Sequence, residues 1–256
     1  MIATTIAVVN QKGGVGKTTT AVNFAAGLAL AERRTLLVDL DPQGNATTGL
    51  GLQKAGMRST VYHAIVGGEP AAKSVSQTAL SHLQALPSDI DLVGAEIELV
   101  GLERREHRLE HALDEIESPY EFIVIDCPPS LGLLTLNALT AADRVLVPLQ
   151  CEFYALEGLA HLLRTVKLVR ERLNPRLDIL GIVLTMFDGR TSLALQIQEE
   201  VRRHFAGQIF ETVIPRNVRL TEAPSHGKPV MLHDLRSSGS IAYLEFTREV
   251  LLHEKR

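Results

Sequence analysis

The sequence predicts an α/β fold, in which a mostly parallel, twisted β-sheet is flanked by helices on both faces. Short apolar runs rich in Val and Ile alternate along the chain with longer stretches of helical periodicity. The short runs show no alternation of apolar and polar residues, which indicates strands that are buried on both faces. A length of 256 residues with 45% hydrophobic content is enough for one large core, so a single domain spanning residues 1–256 is expected.

Six strands and six helices are predicted in alternation. The strands are Ile6–Val9, Leu36–Val38, Phe122–Ile125, Val145–Val147, Ile179–Leu184 and a segment ending at Val213-Ile214. The helices are Thr18–Leu30, Glu96–Glu117, Leu133–Ala141, Ala155–Leu173, Leu193–Phe205 and Ile241–Leu252. Residues 44–90, which are rich in Gly, Ala and Ser, are interpreted as an irregular peripheral insertion around a short helix. In a parallel sheet, ligands bind at the carboxyl ends of the strands.

Composition narrows the class of protein further. Two cysteines, with no CxxC pair and no Cys/His cluster, indicate a reducing compartment and argue against structural zinc. The N-terminal sequence has no basic segment before its short apolar run, and no stretch approaches ~18 unbroken apolar residues. Neither a secretory signal nor a membrane span is therefore expected, and a cytoplasmic location is predicted.

A glycine-rich loop is the strongest indication of function. The segment NQKGGVGKTT, residues 10–19, follows the first predicted strand and opens the first predicted helix. Glycines let such a loop curl until its backbone N–H groups point at phosphate oxygens, and the helix dipole adds to the attraction. In this P-loop pattern, Lys17 reaches the β- and γ-phosphates and the Thr18 hydroxyl ligates Mg²⁺. The chain has Gln11 where a strict P-loop has glycine, and a second lysine, Lys12, stands at the head of the loop.

Carboxylates follow two of the predicted strands. Asp39 and Asp41 leave the second strand in the segment DLDPQGN, and Asp126 leaves the third in the segment IDCPPS. A carboxylate buried beside apolar strands is costly unless a cation or hydrogen bonds compensate. A nucleotide with its Mg²⁺ at this edge of the sheet would supply that compensation.

Taken together, these motifs resemble the ParA/Soj-type chromosome-partitioning ATPases of the deviant Walker A (ParA/MinD) superfamily. The resemblance rests on KGGVGKTT, DLDPQGN and IDCPPS, and it extends along almost the whole chain. Further matches are YALEG at 154–158, FDGRT at 187–191 and VIPRNVRL at 213–220, running on into EAPS at 222–225. That last segment is specific to the Soj-like branch. One departure is Cys127, where such proteins often carry alanine.

The resemblance implies a single deviant Walker A P-loop ATPase domain that forms an ATP-dependent homodimer. In that dimer the loop's first lysine, here Lys12, reaches the nucleotide of the partner subunit and acts like an arginine finger. Asp41 matches the residue that orients the attacking water. The implied catalytic residues are therefore Lys12, Lys17 and Asp41.

The resemblance also implies the ligands, ATP and Mg²⁺, and the residues that bind them. Thr18, Asp39 and Asp126 are the implied metal residues, with the carboxylates acting through water, since Mg²⁺ keeps several of its waters. Pro215 and Asn217 match the segment that recognises the adenine edge. The implied ATP-binding residues are Lys12, Gly13, Gly14, Val15, Gly16, Lys17, Thr18, Thr19, Pro215 and Asn217.

DNA and a second protein are the implied partners. Arg190 and Arg219 match arginines that the family uses for sequence-independent binding of double-stranded DNA, and Lys228 adds positive charge nearby in sequence. The ATP-bound dimer is expected to coat nucleoid DNA until a ParB/Spo-type centromere-binding protein stimulates an otherwise slow hydrolysis. A net charge of −4 implies that DNA binding is weak, sensitive to salt and gated by ATP.

Three other functions remain open at this point. A MinD-like membrane-positioning ATPase shares the loop, but the C-terminal segment 241–256 mixes three glutamates into its amphipathic pattern, so packing against the domain is expected and no membrane contact. An iron–sulfur carrier needs cysteine pairs, whereas Cys127 and Cys151 are isolated and are expected to pack as small apolar residues. A non-enzymatic switch that binds ATP and hydrolyses it negligibly also fits the sequence.

Overall fold

Eight strands form one sheet in the part of the chain that the computed structural model describes, residues 3–116 and 120–253. In chain order they are β1 (Thr4–Val8), β2 (Thr35–Asp39), β3 (Ser76–Gln77), β4 (Leu83–Leu86), β5 (Phe122–Asp126), β6 (Arg144–Gln150), β7 (Asp178–Phe187) and β8 (Ile209–Pro215). Across the sheet the order is β3-β4-β2-β5-β1-β6-β7-β8. All neighbours pair in parallel except β3 and β4, which confirms the predicted mostly parallel sheet.

Helices connect the strands. In chain order they are α1 (Lys17–Leu30), α2 (Asn45–Gly49), α3 (Val61–Ile65), α4 (Leu92–Glu98), α5 (Arg108–Asp114), α6 (Leu133–Ala141), α7 (Ala155–Arg172), α8 (Ser192–His204), α9 (Val218–Glu222), α10 (Val230–His233) and α11 (Ser238–His253). Short 3-10 helices span Ala71–Lys73, Leu99–Gly101, Arg105–His107 and Ala223–His226. The first predicted helix and the four that follow residue 130 are confirmed with bounds that differ by three residues at most.

The sheet is buried on both faces, as the uninterrupted apolar runs predict. Alternate residues of a strand face opposite sides, so Ile6 and Val8 of β1 join one apolar core while Ala7 joins the other. The first core packs under α1 and α11, and the second packs under α4 to α8. This double coverage holds the carboxyl ends of β1, β2 and β5 at one common edge, which is called the carboxyl edge below.

The C-terminal helix α11 is part of the first core. Its Tyr243, Phe246 and Val250 are buried, and the Phe246 ring lies 5.3 Å from that of Phe24 and 5.0 Å from that of Phe210. The apolar face of this helix is therefore used for packing, as expected from its glutamates. Among the described residues, no helix has both the length and the apolar content that crossing a bilayer requires.

The interpretation of residues 44–90 as an irregular peripheral insertion around a short helix is wrong, because the segment contains α2, α3, a 3-10 helix, β3 and β4. β4 lies within this segment and pairs in parallel with β2, from Thr35 opposite Leu83 to Val38 opposite Leu86. The strand escaped prediction because its sequence, LQAL, contains no β-branched or aromatic residue, and those residues carry the usual strand signal.

The predicted helix Glu96–Glu117 is also wrong, because the structure divides it. α4 ends at Glu98, two short 3-10 helices follow, and α5 begins at Arg108. The break includes Arg104, whose φ of 51° lies in the left-handed region that ends a right-handed helix. A non-glycine residue in that region leaves no mark in the sequence pattern. Glu117, the last residue of the predicted helix, lies outside the described residues.

Candidate nucleotide site

The glycine-rich loop joins β1 to α1 at the carboxyl edge. Gly14 and Gly16 have φ of 74° and 86°, conformations that glycine adopts at little cost. The loop is fixed from below by Thr185 of β7, whose hydroxyl donates to the Val15 carbonyl at 2.8 Å. No side chain caps the N-terminus of α1. Its first N–H groups are therefore available to an anion, and the dipole of this 14-residue helix favours negative charge there.

Lys17 lies beneath this loop with only 6% of its surface exposed. Its Nζ donates a hydrogen bond to the Lys12 carbonyl at 3.0 Å. Burial lowers the pKa of Lys17, while the nearby carboxylates of Asp126 and Asp41 partly counter that effect. A buried ammonium in this position attracts a multiply charged anion strongly, since little solvent screens the interaction.

A cleft of about 600 Å³ opens along the loop. It runs from the start of α1 to the segment after β8, and Asp41 and Tyr243 also contribute to its walls. The predicted ATP-binding residues that line it are Gly13, Gly14, Gly16, Lys17, Thr18, Thr19, Pro215 and Asn217. Val15 is buried behind the loop, and the Lys12 side chain is not part of the wall. Sequence reasoning missed several lining residues, among them Gln43, Asn45, Thr185, Met186 and Arg216.

Asp39 and Asp126 lie side by side at the ends of β2 and β5, and both are buried. Asp39 is satisfied within the protein: it accepts hydrogen bonds from the Thr47 N–H and hydroxyl, both at 2.7 Å, and from the Asp41 N–H at 3.2 Å. Burial raises the pKa of Asp39 to about 6 despite those bonds. Asp126 differs, because neither of its carboxylate oxygens has a hydrogen bond of normal geometry among the described residues.

The electrostatics of Asp126 fit a site for hydrated Mg²⁺. Burial and the charge of Asp39 raise its pKa well above the usual value, and the Thr18 hydroxyl lies close enough to lower it only partly. Two orphaned, buried carboxylate oxygens are costly unless a ligand completes their hydrogen bonds. Within the described ranges no group of three or more His, Cys, Asp or Glu could hold a metal by itself. The Asp126 carboxylate and the Thr18 hydroxyl suit Mg²⁺, because this ion keeps several of its waters and is also coordinated by phosphate oxygens.

Asp41 lies at the wall of the cleft and is held by its own loop. Its Oδ1 accepts the Gln43 N–H at 2.9 Å. Its carbonyl accepts the Gly44 N–H and the Ser88 hydroxyl, both at 2.8 Å. Only the carbonyl and one carboxylate oxygen are bound in these contacts, so the other carboxylate oxygen is available to a water in the cleft. Ser88 was missed from sequence because it lies 47 residues further along the chain.

Lys12 points away from the cleft that its own loop builds. Its side chain is 44% exposed and forms an ion pair with Glu152, at the start of the loop between β6 and α7. The next two residues, Phe153 and Tyr154, are 77% and 68% exposed. Gln11, which replaces the usual glycine, contacts the His161 ring of α7 at 2.6 Å. The two lysines of the loop are therefore divided between the inside of the subunit and its surface.

The far end of the cleft contains the two residues predicted to recognise adenine. Asn217 caps α9, since its Oδ1 accepts the Arg219 N–H at 2.8 Å, and its Nδ2 donates to the Ser238 hydroxyl at 2.7 Å. Pro215 precedes it at the end of β8. These two contacts fix the orientation of the Asn217 amide at the cleft wall.

The residues predicted to bind DNA lie in three separate segments. Arg190 follows β7 and forms an ion pair with Asp188 at 2.7 Å. Its guanidinium lowers the pKa of Asp188 to about 2 through hydrogen bonds. Arg219 of α9 pairs with Glu222 at 2.7 Å and with Asp234 at 3.3 Å. Lys228 is exposed beside a smaller cavity next to α1.

The cysteines occupy apolar or half-buried positions. Cys127 is fully buried in the second core, and burial raises the pKa of its thiol well above the usual value. Burial also raises the pKa of the half-buried Cys151 to about 11. A thiol in this state is a poor metal ligand, because the thiolate is the form that binds. The arrangement gives no support to an iron–sulfur function.

Comparisons with known proteins agree with this geometry. A family model described as "AAA domain" matches residues 3–179. The chain is 56% identical to the chromosome partitioning protein ParA of Myxococcus xanthus over 96% of this chain and 87% of that protein. It is 55% identical to the sporulation initiation inhibitor protein Soj of Bacillus subtilis over 96% and 97% of the two chains.

A solved structure gives the same fold. It is that of cobyrinic acid a,c-diamide synthase from Mycobacterium smegmatis with bound ADP and magnesium, with a TM-score of 0.87 and 38% identity, over 99% of this chain and 96% of that chain. That structure contains ADP, which is the kind of ligand that the cleft suits, and magnesium, which is the ion that the Asp126 carboxylate suits. With this fold, and with the two curated relatives matched over nearly their whole length, the chain belongs to the ParA/Soj family of chromosome-partitioning ATPases.

Proposed function

We propose that this chain is a DNA-partitioning ATPase that acts as one deviant Walker A domain spanning residues 1–256. ATP with Mg²⁺ joins two copies into a homodimer, and the dimer binds double-stranded DNA without sequence preference. A ParB/Spo-type centromere-binding protein stimulates hydrolysis and thereby releases the dimer. The protein would then act in the cytoplasm, associated with the nucleoid.

The observation that carries the proposal is the different location of the two loop lysines, Lys17 and Lys12. Lys17 is buried under the loop and serves the nucleotide of its own subunit. Lys12 is half-exposed and lies outside the wall of the same cleft. A lysine at the head of a phosphate-binding loop is well placed to serve a second subunit's triphosphate once it leaves Glu152. Such a contact makes dimerisation depend on the nucleotide.

The proposed chemistry is attack of water on the γ-phosphorus of ATP, which breaks the bond to the β,γ-bridging oxygen and gives ADP and inorganic phosphate. The N–H groups at the start of α1 and the ammonium of Lys17 bind the phosphates and neutralise their charge. The carboxylate of Asp41, held at the cleft wall by the Gln43 N–H, orients the water. The Thr18 hydroxyl would ligate Mg²⁺ directly, while Asp126 and the neighbouring Asp39 would hold it through water, and the ion would supply positive charge to the phosphates. Lys12 of the partner subunit completes the charge neutralisation.

The proposed DNA contacts are Arg190, Arg219 and Lys228. Both arginines are ion-paired with solvent-accessible carboxylates, and such surface pairs are weak, so phosphate oxygens can compete for them. Dimerisation doubles the number of phosphate contacts, so a patch that is too weak to bind DNA alone becomes useful in the dimer. Each contact also makes the log of the DNA affinity fall by ~0.9 per log unit of salt concentration.

The test is binding of duplex DNA with ATP, with ADP and without nucleotide at low salt. Lys12→Ala is expected to lose DNA binding because it fails to dimerise, whereas Arg219→Glu loses DNA binding yet still dimerises. Asp41→Ala is expected to retain DNA persistently, since it traps the ATP-bound dimer. Arg170→Glu is the control, because Arg170 is equally ion-paired at 3.0 Å but lies in the last turn of α7, toward the opposite edge of the sheet. DNA binding by Arg219→Glu at the wild-type level would show that the DNA surface is elsewhere.

A further inference from the structure

A stripe of exposed apolar side chains begins in the turn before α4, runs along α4 and ends in the 3-10 turn after it. Its members, which are called the α4 stripe, are Ile90, Val93, Ile97 and Val100, with 65%, 53%, 78% and 57% of their surface exposed. Their spacing of three, four and three residues places them on one helical face. Large aliphatic residues that are exposed singly are ordinary, but four in one row form a contiguous patch of the kind that marks an interaction surface.

The helix that carries the stripe is fixed by its other face. Leu92, Ala95 and Leu99 are fully buried in the core, so α4 cannot rotate to hide the stripe. Its Glu96 carboxylate accepts the N–H groups of Leu133 and Leu134 at the start of α6, at 3.3 and 3.4 Å. The stripe is thus a rigid, preformed surface, which reduces the entropy cost of binding a partner.

The rim of the stripe is mainly negative; at its C-terminal end Arg105, which is ion-paired with Glu106 at 2.9 Å, donates a hydrogen bond to the Val100 carbonyl at 3.2 Å. Residues 89–103, DIDLVGAEIELVGLE, contain five carboxylates and no lysine or arginine. Asp91 and Glu98 are both exposed, and their spacing of seven residues places them along one side of the apolar row. The phenol of Tyr62 donates to both carboxylate oxygens of Glu98, at 3.0 and 3.1 Å. This hydrogen bond, followed by burial and the charges of Glu98, Asp91 and Asp89, raises the pKa of Tyr62 above its usual value.

The negative charge around the stripe determines which class of partner can bind to it. Two copies of the stripe would bring like charges together, which opposes pairing between identical subunits at this surface. A nucleic acid or an anionic lipid surface is repelled for the same reason. A helix with an apolar face flanked by lysines or arginines complements both the row and its rim.

We propose that the α4 stripe is the docking site for a basic amphipathic helix of a partner protein. The inference rests on the proposed function in one respect, namely that this function requires a protein partner. The stripe is also linked to the nucleotide site, because Ser88, one residue before the acidic segment, donates its hydroxyl to the Asp41 carbonyl. A partner bound to the stripe would therefore contact α4, the helix that begins four residues after Ser88.

The experiment uses the full chain without nucleotide or DNA and a fluorescein-labelled synthetic peptide of 18 residues. The peptide places leucines at helical spacing and lysines on both flanks, and a control peptide carries glutamates in place of the lysines. The protein variants are Val93→Ser with Ile97→Ser, and Asp91→Lys with Glu98→Lys. Leu168→Ser is the matched control, since Leu168 is an equally exposed (51%) leucine on α7. Circular dichroism and retained ATP binding check that each variant is folded.

Wild type is expected to bind the lysine peptide, with protection from hydrogen exchange at residues 90–102. Each double variant should weaken binding at least tenfold, Leu168→Ser should change it less than twofold, and the glutamate peptide should not bind. Absence of binding by wild type, or equal binding by the double variants, would overturn the inference. Because DNA and nucleotide are absent, failure of the DNA-binding test for the proposed function leaves this result unaffected, and the reverse also holds.

Discussion

Asp39 and Asp126 are register partners across β2 and β5, so two buried carboxylates lie next to each other at the carboxyl edge. Asp39 accepts three hydrogen bonds from protein groups, whereas Asp126 has no hydrogen bond of normal geometry within the described ranges. Burial raises the pKa of both carboxyl groups, and the charge of Asp39 raises the pKa of Asp126 further. This pair is a source of instability that a bound cation would relieve.

The first prediction is that the ligand-free protein becomes less stable as pH rises. The folded pKa of Asp39, about 6, lies above its ordinary value of 3.8, so the folded state holds more protons than the unfolded state between these pH values. The free energy of unfolding therefore falls as pH rises through that window, by on the order of 3 kcal/mol from this group. The replacement Asp126→Asn removes one charge of the pair. Without nucleotide it should raise the melting temperature by roughly 5 °C at pH 8.

The same variant supplies its own control through pH and ligand. At pH 5 the gain over wild type should shrink, because the wild-type pair is then partly protonated. With ATP and Mg²⁺ the order should reverse, since wild type gains ligand stabilisation that the variant lacks. Melting curves recorded by circular dichroism at the two pH values measure both effects. A variant that is less stable than wild type at pH 8 without ligand would contradict the interpretation.

The second prediction concerns the ion pair that holds Lys12 on its own subunit. Glu152→Gln removes the charge that retains the ammonium, so the lysine should reach a second subunit more easily. An exposed pair contributes about 0.2–1 kcal/mol. Each subunit releases one such pair on dimerisation, so the ATP-dependent dimer should form at a concentration about two- to thirtyfold lower, measured by sedimentation with a nonhydrolysable triphosphate.

Glu157→Gln is the control for this experiment. Glu157 is exposed in the first turn of α7 and lies five residues from Glu152, so the change alters net charge equally. It should leave dimerisation unchanged. If Glu152→Gln instead abolishes the dimer, Glu152 acts across the interface rather than as a restraint on Lys12.

The third prediction is that Ser88 positions Asp41. Ser88→Ala removes the buried hydroxyl that donates to the Asp41 carbonyl at 2.8 Å. The loop that carries the carboxylate then loses one support, so kcat for ATP hydrolysis should fall several-fold while KM changes little. Loss of one buried hydrogen bond also lowers stability by about 1 kcal/mol.

Ser74→Ala separates positioning from stability. Ser74 is 3% exposed and pairs with the Ser59 hydroxyl at 2.6 Å, away from the cleft wall. It should cost similar stability and leave kcat unchanged. A parallel fall of kcat in both variants would mean that Ser88 has a general structural role only.

A feature could be predicted from the sequence where the residues that form it are close together along the chain. The loop at 10–19 and the carboxylates at the ends of β2 and β5 lie in continuous segments, so their position at one edge follows from strand patterns. The pairing of Lys12 with Glu152 joins residues 140 positions apart and has no local signature. β4 has no β-branched residue, and the break before α5 depends on the backbone angle of Arg104. These features arise from tertiary packing, which a single sequence does not display.

The fourth prediction is that the ion pair of Arg190 limits DNA binding. The guanidinium, 89% exposed, is bound by both carboxylate oxygens of Asp188, at 2.8 and 2.7 Å. Asp188→Asn keeps the side-chain size and removes the competing charge, so the ATP-bound dimer should bind duplex DNA a few-fold more tightly. The salt dependence of binding should steepen by up to about one unit of slope for each Arg190 that now binds a phosphate. Glu199→Gln, which frees Arg203 of α8 in the same way, is the control for net charge. Equal effects of the two variants on affinity and slope would show that overall charge, and not Arg190, governs DNA binding.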